Sequence, residues 1–95
     1  MGAAALKQRI LDYCAAQGVE VPAGFHRNPP SRYAIIDFSG AAPKLIARTW
    51  FEAEDVVHYL GQYEAGRPYR IIDFENRREL CLNAGKLESA GELPA

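Results

Sequence analysis

The chain predicts an α+β fold: a two-layer sandwich in the order α-β-β-α-β-β, with a four-stranded, mostly antiparallel sheet and both helices on one face. Three observations carry this. The tetrapeptide Ile-Ile-Asp-Phe occurs twice, at Ile35–Phe38 and Ile71–Phe74, each copy with a tyrosine (Tyr33, Tyr69) two positions ahead of its first isoleucine. Apolar residues recur at helical spacing near the start of the chain and alternate around both repeat copies. Glycine and proline punctuate the segments between.

Residues 3–17 read as the first helix. Leu6, Ile10 and Cys14 fall at i, i+4 and i+8, Leu11 and Tyr13 widen the stripe, and Lys7, Arg9, Asp12 and Gln17 lie off it. Gly18 suits the left-handed residue after a helix, and Val21-Pro22 blocks continuation. The proline-rich stretch 22–31 is a connecting loop that Phe25 anchors to the core.

Strand one covers about 32–38, with Tyr33, Ile35 and Asp37 on one face and Ala34, Ile36 and Phe38 on the other. Apolar residues on both faces mark an interior strand. The turn Ser39–Pro43 leads to strand two, about 44–51, whose Lys44, Ile46, Arg48 and Trp50 share a face that the mixed pattern assigns to solvent.

The second helix spans 52–65. Glu52, Glu54 and Asp55 complement its dipole, Ala53, Val56, Leu60 and Tyr63 form the buried stripe, and Gly66 and Pro68 end it. Strand three (69–75) is the second repeat copy, followed by a turn at Glu75–Arg78 and strand four (79–83). Residues 84–95 have Leu87 and Leu93 as their large apolar residues and read as a frayed helical turn or a flexible tail. A helical crossover makes strands two and three run in the same direction. The expected sheet order is 2-1-3-4, with the two repeat strands as antiparallel central neighbours.

Ninety-five residues, 48% of them hydrophobic, make one domain spanning 1–95 with a single core. The apolar runs are too short for a transmembrane helix, and Lys7 and Arg9 interrupt any signal-peptide core. Leu6 stands where a myristoylation motif at Gly2 needs Ser or Thr. The expected location is the cytoplasm. Cys14 and Cys81 then read as buried free thiols, with a disulfide between them as the alternative.

Eleven basic and twelve acidic residues leave a net charge of −1, which argues against a protein held mainly by phosphate contacts. The catalytic signatures are missing. There is no HExxH, CxxC or GxSxG motif, and Ser39–Lys44 joins two strands instead of opening a helix as a phosphate loop does. His26 sits in the proline-rich loop and His58 off the main helical stripe. A Cys14/His dyad would need an electropositive, accessible cysteine, the reverse of a buried stripe. No cofactor and no metal is expected. Asp37 and Asp73 would serve acid–base chemistry only if close together; otherwise each ends a strand and is answered by arginine.

Seven arginines stand between positions 27 and 78, against Lys44 as the one lysine there. Arginine beside exposed aromatics is the composition of interface hot spots. Arg48, Trp50, Tyr33 and Tyr69 are therefore the candidate partner-binding residues. Arg27, Arg32, Arg67, Arg70, Arg77 and Arg78 are the alternative, a nucleic-acid face.

The stretch Tyr33–Leu60, with Arg48-Thr49-Trp50-Phe51 ahead of a helix, resembles the small arm-type DNA-binding domains of phage integrases, which also place short strands before a helix. The near-neutral charge and the acidic run Glu52–Asp55 depart from that pattern, so the family is not assigned. The leading expectation is a non-enzymatic module that binds a protein partner, or itself, through the solvent-facing side of the sheet. Nucleic-acid binding comes second, and a carboxylate enzyme using Asp37 and Asp73 third.

Overall fold

The computed structural model describes residues 3–27, 31–48, 50–62 and 68–93. Its elements run α1 (Ala3–Gln17), a 3₁₀ turn (Ala23–Arg27), β1 (Tyr33–Asp37), β2 (Lys44–Leu45), α2 (Ala53–Leu60), β3 (Tyr69–Asp73), β4 (Arg78–Asn83) and β5 (Lys86–Glu92). All five strands join one sheet in the order β2-β1-β3-β4-β5, and every neighbouring pair is antiparallel. The two repeat copies pair over their full length in the middle of the sheet, with Ile35 opposite Ile71 and Ala34 opposite Ile72.

Both faces of that central pair are apolar, and this decides the layering. Leu6, Ile10 and Cys14 of α1 pack with Phe25, Ala34, Ile36, Leu45, Ile72 and Phe74. Val56 and Leu60 of α2 pack with Tyr33, Ile35, Trp50, Ile71 and Leu80. Since successive residues of a strand point to opposite faces, the two helices lie on opposite sides of the sheet. The structure is thus an α/β/α arrangement, not the expected two-layer sandwich with both helices together. A single helical layer would leave one row of isoleucines in water, and all four repeat isoleucines are fully buried.

Further differences follow from local chemistry. The expected strand over 44–51 pairs regularly only at Lys44–Leu45 and rejoins β1 by a single bridge from Trp50 to Tyr33. Between them the Arg48 amide bonds back to the Ile46 carbonyl and interrupts the ladder. The second helix closes at Leu60, and the expected stripe residue Tyr63, the stop at Gly66 and strand-two residue Thr49 lie outside the described residues. The chain from Lys86 onward, expected to be a tail, is a seven-residue fifth strand.

Cys14 is buried, and burial pushes its thiol up to about 11. Cys81 is exposed, contrary to expectation, because it points from β4 to a part of the sheet that α1 does not cover. Both thiols are free. Among the described residues, no helix is long and apolar enough to cross a membrane.

Candidate functional site

The face expected to meet a partner is occupied by α2. Tyr33 and Trp50 are each only 5% exposed, and Trp50 lies against Tyr59 of α2 with ring centroids 4.6 Å apart. Ser31, itself buried, fixes this corner. Its hydroxyl lies 2.5 Å from the Tyr33 carbonyl and 2.9 Å from the Trp50 carbonyl, and it accepts the Trp50 amide at 2.8 Å. Of the four residues expected to form the interface, Arg48 and Tyr69 remain accessible. Arg48 lies over the Tyr59 ring at 5.0 Å, and Tyr69 stands opposite Asp37 at the end of the central ladder. Tyr33 and Trp50 are core residues. Two aromatics cannot stay wet on a sheet face that a helix with Val56 and Leu60 must cover.

The arginines are largely engaged within the fold. Asp73, fully buried, receives Arg32 Nε and Nη2 at 3.2 Å each, Arg78 Nε at 3.3 Å and Asn76 Nδ2 at 3.0 Å. It also accepts the Glu75 and Asn76 amides of the following turn. Arg32 makes a second ion pair with Glu75 at 3.0 Å. Arg70 pairs with Glu79 at 2.6 Å and lies over Phe38. Arg77 is exposed on the β3–β4 turn, while the Arg27 side chain and Arg67 lie outside the described residues. Of the six arginines of the alternative face, Arg32, Arg70 and Arg78 are thus held in ion pairs.

Asp37 repeats part of what Asp73 does. Its carboxylate accepts the Ser39 amide at 2.8 Å, as Asp73 accepts the amide two residues on. In both copies the aspartate ends a strand by offering the next turn a side-chain acceptor. Antiparallel pairing sets Asp73 opposite Tyr33, four residues along β1 from Asp37, which is about 13 Å of strand. The two carboxylates cannot share one substrate. No group of three potential metal ligands occurs among the described residues.

The open feature is the sheet's last strand. Asn83 pairs with Lys86 across a two-residue turn in which Ala84 and Gly85 both have positive φ (52° and 78°). That geometry matches the twist of the flanking strands and lays β5 along β4. Leu87 pairs with Leu82, and both pack beneath α2, while the other six residues of β5 are exposed. A register shift at Glu79/Leu80 leaves Ala90 as an extra residue, so the regular ladder on β5 runs Lys86–Ser89. No strand pairs with the outer side of β5 among the described residues.

The opposite edge differs. β2 has two residues and is closed by Glu20, which donates its amide to the Pro43 carbonyl and accepts the Leu45 amide at 2.9 Å. The sequence held a signal for β5 in the turn Asn83-Ala84-Gly85-Lys86, but the few large side chains after it hid the strand.

Compared with known protein families, curated proteins and solved structures, the chain matches none.

Proposed function

We propose that the protein is a small non-enzymatic binding module that takes an extended segment of a protein partner alongside β5. One observation carries this reading: a seven-residue strand lies exposed at one edge of the sheet, while the other edge is two residues long and closed by Glu20. An exposed edge offers a row of backbone donors and acceptors that an incoming strand satisfies, and alternate side chains set its selectivity. Lys86, Glu88 and Glu92 keep that edge charged, which discourages indiscriminate pairing. Arg48 and Tyr69, still accessible, are secondary candidates for contact with the partner.

Proline substitution tests the reading. Successive amides of a strand point to opposite sides, so of Glu88→Pro and Ser89→Pro one removes an amide facing β4 and the other an amide facing outward. The inward variant is expected to lose stability. The outward variant keeps stability within about 0.5 kcal/mol of the parent and no longer takes up its partner. Cross-linking in native extract reads a foreign partner, and sedimentation reads a second copy. A stable outward-proline variant that retains full association would overturn the proposal.

A further inference from the structure

A second candidate site uses no residue of β5. Arg9, Asp12, Tyr13, Ala16 and Gln17 fall at i, i+3, i+4, i+7 and i+8 of α1, a flank beside the buried Leu6/Ile10/Cys14 stripe. Opposite them stand Phe74 and Arg77 of the β3–β4 turn and Leu93, which follows β5. Together they enclose a cavity of about 310 Å³, at the small end of the range for small-molecule sites.

The floor is apolar and rigid. Phe74 is buried, and the Tyr13 ring meets it edge-on at 5.6 Å. Leu93 is half-buried, and its amide donates to the Arg77 carbonyl at 2.9 Å, tying the end of β5 to the turn. The rim carries two guanidinium groups. Arg9 donates to the Phe74 carbonyl at 3.0 Å, which leaves most of its donors unused, and the Arg77 guanidinium has no hydrogen-bond or ion-pair partner among the described residues. Asp12, the one acidic residue of the lining, accepts from Gln8 at 2.8 Å. Two cations, one anion and an aromatic floor complement a ligand with an apolar body and one anionic group.

We infer that this cavity binds a small carboxylate with an aliphatic or aromatic body, its carboxylate held by Arg9 and Arg77 and its body on Phe74, Tyr13 and Leu93. None of the lining residues belongs to β5, so the inference stands independently of the strand-edge reading.

Arg77 offers a clean variant. Its φ of 52° is one that glycine adopts freely and an L side chain does not, so Arg77→Gly removes the guanidinium without straining the turn. The probe is sodium octanoate, titrated into the 15N-labelled protein and followed by amide shifts, with 1-octanol as the uncharged control. Octanoate is expected to give saturable shifts confined to the amides of Arg9–Gln17, Phe74–Arg77 and Leu93. Octanol should bind about tenfold more weakly, and Arg77→Gly should weaken octanoate by a similar factor with a urea midpoint no lower than the parent's. Equal binding of octanol, shifts scattered beyond these segments, or undiminished binding by Arg77→Gly would each overturn the proposal.

Discussion

Asp73 shows how one buried carboxylate organises several segments at once. Burial alone would favour its neutral form, but the hydrogen bonds from Arg32 and Asn76 and the charge of Arg32 outweigh burial and hold its pKa below the usual carboxylate range. The group joins the start of β1 to the end of β3, the following turn and the start of β4. Asp73→Ala is expected to cost about 2–4 kcal/mol at neutral pH, because two arginines lose their shared acceptor. The pH dependence has a definite sign. A carboxylate with a depressed folded pKa contributes stability that is fully present above its unfolded value of about 3.9 and is lost as pH falls through the folded value. Urea unfolding of the parent and of Asp73→Asn should therefore differ most near neutrality, and the gap should narrow below about pH 4. A gap that stays constant through the acid range would show that ionisation of Asp73 contributes nothing.

At the scale of elements, the β4–β5 hairpin depends on a turn more than on a core. Leu87 is the one large apolar side chain of β5, so β5 lies alongside β4 because Ala84 and Gly85 adopt left-handed backbone. A Cβ at Gly85 would meet no atom within 4 Å, so Gly85→Ala isolates the conformational penalty, about 1–2 kcal/mol. Ala84→Gly should act in the opposite direction, since Ala84 already sits at a φ of 52°. Denaturant midpoints of the two variants check this pair, and an unchanged midpoint for Gly85→Ala would mean that the hairpin does not depend on this turn. The long helix α1 is specified differently. Its stripe of Leu6, Ile10 and Cys14 was plain at helical spacing and is buried as expected.

At the scale of the molecule, stability should be graded across the sheet. β1 and β3 carry apolar rows on both faces and are covered by a helix on each, whereas β5 is exposed on its outer side. Amide exchange should follow that gradient. The amides of Ile35, Ile36, Ile71 and Ile72 should exchange only through global unfolding, and the outward amides of β5 within the first minutes. Strong protection along the outer side of β5 in the isolated chain would mean that the edge is already paired, which sedimentation would reveal as a dimer.

Sequence alone determined which segments become helix or strand around the repeat, and that the two repeat copies pair at the centre. Both are local or pairwise properties: Ile-Ile-Asp-Phe alternates faces, stays apolar on both, and ends in an aspartate suited to a turn. Layering, the reach of the sheet and the accessible surface were decided by tertiary structure. Two apolar faces need two covers, but nothing in the α2 stripe says which face it will take, so Tyr33 and Trp50 looked wet until α2 was placed over them. β5 was invisible for the converse reason. Its polar residues bury little, and only the turn at Ala84-Gly85 and the waiting edge of β4 make it a strand. Asp73 was readable as a strand end answered by arginine, but its choice of Arg32 and Arg78 required residues 41 positions away and 5 positions away to meet at one carboxylate. Short-range pattern fixes an element's type, whereas its neighbours are fixed by which surfaces remain to be buried once the chain has closed on itself.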